Sequence, residues 1–330
     1  MKKFINNVDE ILTESLVGFG DAHNDILEVK LKPDFITRKQ KSENPKVALI
    51  SGGGSGHEPL HGGFVGYGML DAACPGQVFT APTPDQMEAA ANHVHSGKGI
   101  LFIVKNYSGD IMNFEMGADM LDLERQTIIV NDDVAVEDST YTTGRRGVAG
   151  TMIVEKTVGS LAETGASLDE CKNFGDHVNK MTASMGVAFT SCIVPAAGKQ
   201  TFDIGSDEME FGVGIHGEPG RKREKIKTAN EITSELMGAI LEDLKPSKNQ
   251  EVLLHANGFG GTPLMELYLL FNSAKTILDK NNIKMTRSLI GNFTTSLDMA
   301  GGSLTVTKLD DKIIQHWDSP VHTPAIRWKI

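Results

Sequence analysis

The stretch ALISGGGSGHEPLHGG, residues 48–63, carries the clearest structural signal in the chain. Its apolar start is typical of a buried β-strand, and the glycines that follow predict a tight loop at the end of that strand. Glycine N–H groups in such a loop can approach a ligand closely, and the start of a following helix adds a positive dipole. The loop therefore favours an oxygen-rich ligand, with His57 and His61 beside it.

The glycine loop departs from the common nucleotide-binding patterns. A dinucleotide fingerprint requires G-x-G-x-x-G, but Gly52-x-Gly54 is followed at the required position by His57. A Walker A motif fails as well, because neither Lys98 nor Lys199 follows the right glycines and precedes Ser or Thr. The loop is thus expected to hold something smaller than ATP or NAD.

Strand-like apolar runs alternate with longer amphipathic segments along the chain. The first half has predicted strands at residues 46–50, 99–104 and 126–130. A helix is predicted after Thr83, a favourable N-cap that precedes Pro84. The second half has predicted strands at 209–215, 252–256 and 284–290, and helices at 230–244 and 262–278. This order predicts an α/β fold with two α/β domains whose sheets are largely parallel or mixed.

The strand-like segment VAFTSCIVP restarts the pattern, so the domain boundary is expected near Ser184. The first domain, residues 1–183, then carries the glycine loop and Asp110, and the second, residues 184–330, carries His216. A chain of 330 residues exceeds the usual size of one domain, so each half can bury a core of its own.

Composition narrows the class of protein. The net charge of −11 and the pI near 5.4 argue against a nucleic-acid surface, which needs clustered Lys and Arg. Cys74, Cys171 and Cys192 are widely separated, so neither a disulfide framework nor a metal site is expected. The amino terminus lacks a signal-peptide core, and no run is long enough to span a bilayer. A cytoplasmic protein without a membrane partner is the expectation.

A second loop, VKNYSGDIMNFEMG, follows another predicted strand. It brings Lys105, Asn106, Ser108 and Asp110 to the same sheet edge as the glycine loop, because the carboxyl ends of parallel strands line one crevice. His57 and Asp110 are therefore expected to meet there. Asp110 also has an alternative role as the N-cap of a helix that begins at residue 111.

A third segment, EMEFGVGIHGEPGRKREK, places His216 at the end of an alternating strand and among glycines that leave its ring open. Neutral imidazole is a competent nucleophile when its second nitrogen is held by an acceptor, and Glu218 is one candidate. The basic run 221–225 is interpreted as the solvated start of a helix, with orientation of a phosphate-bearing partner as the alternative. Arg145 and Arg146 in TGRRGVAGT are left unassigned, and tight turning is favoured for the loop after His255.

Six motifs taken together resemble the dihydroxyacetone kinase family: SGGGSGHEPLHGGFVG, KNYSGD, GRRGVAGT, GIHGEPG, NGFGGTP and GNFTTSLDMAGGSLT. They occur in the family's order over nearly the whole chain. The resemblance implies two α/β domains, with room for the last residues to pack back on the first, and a homodimer. Because the chain stops at SPVHTPAIRWKI, it is similar to the separate substrate-binding K subunit of the phosphotransferase-dependent enzymes. A Mg-nucleotide would then sit on a partner L subunit, recharged from phosphoenolpyruvate through a phosphotransferase M component, with no cofactor in this chain.

The resemblance also implies roles for single residues. His216 resembles the histidine that adds to the C2 carbonyl of dihydroxyacetone and holds it as a hemiaminal. Asp110 resembles the general base for the attacking hydroxyl, and His57 its acid/base and hydrogen-bonding companion. The implied substrate-binding positions are Gly54, Ser55, Gly56, His57, Lys105 and Asp110. No metal ligand is implied.

Two other classes of protein stay open. A catalytically silent paralogue could bind dihydroxyacetone and act as a transcriptional coactivator, sharing the fold and the nucleophilic histidine. The presence of His57, Asp110 and GNFTTSLDMAGG favours the catalytic subunit. A nucleotide-dependent oxidoreductase is a more distant alternative, because the dinucleotide fingerprint fails.

Overall fold

The computed structural model describes residues 2–136 and 142–329, and within these ranges two six-stranded sheets are flanked by helices. The predicted α/β fold with mixed sheets is confirmed. Arg145 and Arg146 lie just after the undescribed segment, inside the second range. None of the helices in the described part of the chain is both long and apolar enough to cross a membrane.

The first sheet has the strand order β1-β2-β4-β3-β5-β6. Its strands are β1 (Leu27–Lys30), β2 (Phe35–Arg38), β3 (Ala48–Ser55), β4 (Ala72–Val78), β5 (Ile100–Lys105) and β6 (Arg125–Val130). The last four are parallel, whereas β1 and β2 pair antiparallel to each other and β2 pairs antiparallel to β4. The carboxyl ends of β3, β4, β5 and β6 therefore meet along one edge.

Helices cover both faces of the first sheet. They are α1 (Ile11–Ala22), α2 (Pro84–Val94), α3 (Ser108–Asp119), α4 (Gly150–Glu163) and α5 (Leu168–Lys180), with short 3-10 turns at Val8–Glu10 and Gly62–Phe64. The predicted start of α2 is confirmed: Thr83 is its N-cap, in a capping box with Gln86, and Pro84 is the first helical residue. Helix α4 is buried over residues 150–162, between both sheets.

The second sheet has the order β11-β10-β12-β7-β8-β9. Its elements are β7 (Thr182–Ala188), β8 (Glu208–Phe211), β9 (Lys222–Lys225), α6 (Ala229–Leu244), β10 (Glu251–Gly258), α7 (Leu264–Lys280), β11 (Lys284–Gly291) and β12 (Gly301–Lys308). Only β10 and β11 pair in parallel among the strands described in this sheet. The chain ends with α8 (Asp311–Trp317), β13 (Val321–His322) and β14 (Arg327–Trp328).

Three features differ in detail from the sequence expectations. Position 183/184, the expected boundary, lies inside β7, so the second sheet begins before it. The run 221–225 does not start a helix: it forms β9, an edge strand whose lysines pair with acidic neighbours such as Glu235. Strand β8 ends at Phe211, so His216 stands in a turn beyond the strand.

The largest apolar core joins the two halves of the chain. Residues of α4 such as Met152 and Val158 share it with Leu253 of β10 and with Ile313 and Trp317 of α8. Helix α8 therefore packs on the first half, although it follows the second sheet in sequence. Burial of each such side chain contributes about 1.5–3 kcal/mol to folding.

Candidate active site

The glycine loop at the end of β3 is shaped by close backbone contacts. A Cβ at Gly54 would lie 2.5 Å from the amide nitrogen of Thr80 and 2.7 Å from Cα of Phe79, so only glycine fits there. Gly56 has φ +102, which also favours glycine. The loop after β4 can therefore pack directly on this loop, and it brings the Phe79 ring to the cleft.

Two predicted substrate-binding residues already have partners within the protein. Ser55 Oγ donates to the carbonyl oxygen of Gly76 at 2.7 Å. The Gly56 N–H donates to the carboxylate of Glu58, at 2.9 Å and 3.0 Å from its two oxygens. Ser55 and Gly56 therefore lie at the predicted place, but these groups shape the loop rather than project freely into the cleft.

His57 links the glycine loop to the second half of the chain. Its Nδ1–H donates to the carbonyl oxygen of Thr295 at 2.7 Å, and its ring stacks on Phe79 with centroids 4.9 Å apart. The backbone continues the link, because the Thr295 N–H donates to the His57 carbonyl and the Leu297 N–H to that of Gly56. The Thr295 hydroxyl also donates to the carbonyl oxygen of Glu58 at 2.9 Å.

The tautomer of His57 follows from these contacts. Since Nδ1 carries the proton, Nε2 is an acceptor, and it has no partner among the described residues. Burial, followed by the charges of His216 and Lys105, holds the pKa of His57 well below its usual value. His57 is therefore a neutral imidazole whose unpaired nitrogen can accept a proton or a hydrogen bond.

Lys105, the last residue of β5, and Asp110, in the first turn of α3, both lie at the same cleft. Helix α3 begins at Ser108 with Tyr107 as its N-cap, so the alternative role of Asp110 as a helix cap is wrong. Asp110 Oδ2 lies 3.8 Å from Lys105 Nζ, and both side chains are buried. Burial raises the pKa of Asp110, although Lys105 and then His216 oppose this. A raised pKa makes this carboxylate a better proton acceptor.

His216 is the more exposed member of the site and is held by Glu218. Its backbone N–H and its Nδ1 lie 3.0 Å and 2.9 Å from the two Glu218 carboxylate oxygens, so the contact suggested by sequence proximity is present. Although burial opposes it, His216 and then Arg146 lower the pKa of Glu218 to about 2. The ionised carboxylate accepts the Nδ1 proton, so in the neutral imidazole the lone pair that can act as a nucleophile is on Nε2.

Arg146, for which the sequence predicted no role, lies behind the His216–Glu218 pair and adds a positive charge near Glu218. It is fully buried, and it donates to Asp133 Oδ2 at 2.8 Å and to the Gly212 carbonyl oxygen at 2.6 Å. Gly214 provides the space, because a Cβ there would lie 2.6 Å from the Glu218 carboxyl carbon. In the sequence, this close packing is indicated only by the two glycines that flank the arginines in GRRG.

Aromatic rings around His216 were also missed by the sequence reasoning. The Tyr107 ring meets the imidazole edge to face at 4.7 Å, and the Phe79 ring does so at 5.2 Å. His57 completes the enclosure at 4.7 Å. Each aromatic residue lies in a loop after a first-sheet strand, and that position is the signal that could have identified them.

The structure therefore brings His57, Lys105, Asp110 and His216 together with Gly54, while no cluster able to hold a metal ion occurs among the described residues. A free imidazole nitrogen, a neutral second imidazole and a carboxylate beside an ammonium form a cleft suited to addition to a carbonyl and to proton transfer. The protein is thus a two-part α/β protein with a histidine-centred polar cleft.

Comparison with known proteins identifies the family to which the chain belongs. The Dak1 domain family model matches residues 17–325, and the chain belongs to this family. The dihydroxyacetone-binding subunit of the Escherichia coli phosphoenolpyruvate-dependent dihydroxyacetone kinase is 44% identical, with 99% of each chain covered.

Two solved structures show the same fold. A co-activator of a dihydroxyacetone kinase operon superposes with a TM-score of 0.89 and 32% identity, over 94% of this chain and 97% of its own. The dihydroxyacetone kinase of C. freundii gives a TM-score of 0.86 and 31% identity, over 98% of this chain and 60% of its own.

Proposed function

We propose that the protein is the dihydroxyacetone-binding K subunit of a phosphoenolpyruvate-dependent dihydroxyacetone kinase. It holds dihydroxyacetone on His216 as a hemiaminal while a nucleotide on a partner L subunit phosphorylates a terminal hydroxyl. The product is dihydroxyacetone phosphate. The observation that carries this proposal is the pair His216–Glu218, because the carboxylate fixes Nδ1–H and frees Nε2 as a nucleophile.

The capture step balances without a leaving group. Nε2 of His216 forms a bond to the carbonyl carbon, and the C=O π electrons move to oxygen. The alkylated ring becomes an imidazolium whose Nδ1–H stays hydrogen-bonded to the Glu218 carboxylate. The new alkoxide takes one proton from solvent water and becomes a hydroxyl. Nε2 of His57 can hydrogen-bond this hydroxyl, since it has no partner among the described residues. The adduct therefore has the whole mass of the substrate.

Phosphoryl transfer needs a base at a terminal hydroxyl. Asp110 can take that proton as the oxygen attacks the γ-phosphorus, and Lys105 lies beside it to orient the substrate and balance negative charge. Gly54 contributes a close backbone wall. The Mg-nucleotide is placed on the L subunit, with no cofactor assigned to this chain.

The proposed setting includes three further elements. The L subunit receives its phosphate from phosphoenolpyruvate through the phosphotransferase M component. The K subunit forms a homodimer in the cytoplasm. Full-length similarity to the dihydroxyacetone-binding subunits of bacterial kinases supports this arrangement.

A second function, that of a dihydroxyacetone-binding transcriptional coactivator, is favoured by the TM-score of 0.89 to an operon co-activator. The two functions share substrate capture and differ in phosphoryl transfer. The presence of Asp110 at the cleft favours the kinase subunit, because a sensor has no need of a base at the substrate hydroxyl.

Reconstitution tests the proposal. The purified chain is mixed with its cognate L subunit, the phosphotransferase proteins, Mg²⁺ and phosphoenolpyruvate, and dihydroxyacetone phosphate is measured with a coupled reductase. Turnover that requires this chain supports the kinase function. Tight capture of dihydroxyacetone without any turnover would instead support the coactivator.

A further inference from the structure

A polar cluster lies buried behind the site, on the side of β3 that faces α4. His61 bridges two ionisable groups: its Nδ1 is 2.6 Å from Glu155 Oε1, and its Nε2 is 2.8 Å from Lys105 Nζ. Ser51 Oγ lies 2.9 Å from the same Nδ1. Glu155 is fully buried, and Lys105 and His61 are nearly so. The cluster thus joins a carboxylate in the core to the ammonium that contacts Asp110.

The position of each proton in this chain of contacts depends on the positions of the others. If Lys105 is an ammonium and donates to Nε2, then His61 carries its proton on Nδ1 and donates to an ionised Glu155. If Glu155 instead donates its proton to Nδ1, then Nε2–H faces an uncharged Lys105. The Ser51 hydroxyl does not alter this, since it donates to the carbonyl oxygen of Ile103 at 2.6 Å.

A third arrangement is disfavoured by burial. Glu155 Oε2 has no hydrogen-bond partner among the described residues. A proton placed there would be an unsatisfied donor in the core, which carries a penalty of about 1–3 kcal/mol. The charge on Lys105 is therefore tied to the charge on Glu155.

We propose that Glu155, acting through His61, is a positioning residue for phosphoryl transfer that keeps Lys105 cationic beside Asp110. This inference rests on the proposed function of the site only for the role of Lys105 in transfer. The link between Glu155 and Lys105 depends on the contacts alone.

The electrostatic surroundings of Lys105 set the sign of the effect. Burial lowers the pKa of Lys105, while Asp110 from α3 and then Glu155 from α4 raise it. His57 and His61, which face it from the glycine loop, are held neutral by burial. Burial raises the pKa of Glu155 itself to about 8, although Ser51 and then Lys105 oppose this, so its charge is present mainly at the alkaline end of the titration. Without that charge, Lys105 loses its proton at a lower pH.

The Glu155→Gln variant isolates this charge, because the amide oxygen can still accept the His61 Nδ1 proton. Glu163 supplies a matched control: it lies two turns further along α4, is also shielded from solvent, and pairs with Arg38 at 2.7 Å instead of with the cluster. A merely structural role for buried carboxylates on α4 would make both variants behave alike.

The decisive measurement is an NMR titration of the Lys105 side chain in protein labelled at lysine Cε, with the signal assigned by its loss in Lys105→Arg. We expect the Lys105 midpoint to fall by about one pH unit in Glu155→Gln and to stay unchanged in Glu163→Gln. Equal midpoints in the wild type and Glu155→Gln would overturn the inference. Should Glu155→Gln unfold, His61→Asn tests the same link, because it removes the bridge.

The pH profile of phosphoryl transfer gives the functional readout. In Glu155→Gln the high-pH limb should move to lower pH, with a rate about fivefold below that of the wild type at the pH where the wild type keeps half of its maximal rate. An unmoved limb would show that the Lys105 charge does not serve transfer. If the wild type transfers no phosphate, the proposed function fails, while the NMR titration still decides whether Glu155 controls Lys105.

Discussion

His57 and His216 meet edge to face across the cleft, with ring centroids 4.7 Å apart and an interplanar angle of 76°. One histidine belongs to the glycine loop of the first sheet and the other to a turn after β8 of the second. Each has one ring nitrogen committed to a protein acceptor, Thr295 or Glu218. The two halves thus each contribute one free imidazole nitrogen to the same space.

Replacing His216 should remove the preference for dihydroxyacetone over glycerol. The two molecules have similar volume and hydroxyl pattern, so a cavity that merely fits one rejects the other weakly. Glycerol has no carbonyl to which Nε2 can add. In His216→Ala, competition by ligand-observed NMR should show weak, comparable binding of both.

Intact mass provides the companion measurement for His216. The wild type should gain the full mass of dihydroxyacetone, whereas a lysine Schiff base would lose water. His95→Ala, on a half-exposed histidine at the end of α2, is the control that keeps the adduct. An adduct that persists in His216→Ala would move the nucleophile elsewhere.

Asp110→Asn should keep the adduct but slow phosphoryl transfer by about a hundredfold or more, because an amide cannot take the hydroxyl proton. Single-turnover transfer from the loaded L subunit measures the rate. Since burial raises the pKa of Asp110, the wild-type rate should also fall on acidification at a higher pH than an exposed aspartate would give. A near-normal rate in the variant would leave Asp110 without a role in proton transfer.

Gly54→Ala should destabilise the site by about 1–3 kcal/mol, because the new methyl group meets the backbone at Phe79 and Thr80. The shift would also move Phe79, which stacks on His57. Gly18→Ala in α1 is the control, since a Cβ there meets no atom within 4 Å. Urea unfolding should show a loss for Gly54→Ala alone, and equal stabilities would contradict the close packing.

Acidification should weaken the fold through His255 in β10. Burial lowers the pKa of His255 from 6.5 to about 4. The unfolded chain then binds a proton that the folded chain does not, so stability falls with decreasing pH between 6.5 and 4, by about 1.4 kcal/mol per pH unit. His255→Asn should lose about 2 kcal/mol less than the wild type between pH 6.5 and 5, measured by urea unfolding.

The strands and helices were predictable wherever the hydrophobic pattern was long, as for β5, β10 and α6. The run 221–225 was misassigned because it contains only charged residues and so has no apolar period, and pairing with β8 determines its structure. The glycine loop and Asp110 were found because strand ends meet at one sheet edge. Roles for Arg146 and Glu155 could not be predicted, since these roles depend on burial against residues distant in sequence.

Hydrogen bonds join residues 56–58 to the loop at Thr295 and Leu297, and they set how often the cleft stands open. These hydrogen bonds must break before the two halves can separate at the cleft, at a net loss of about 0.5–1.5 kcal/mol each. A fully parted cleft is then populated by a few per cent of molecules at most. Dihydroxyacetone therefore meets a receptor that is already assembled, and its binding energy is not consumed in closing the protein around it.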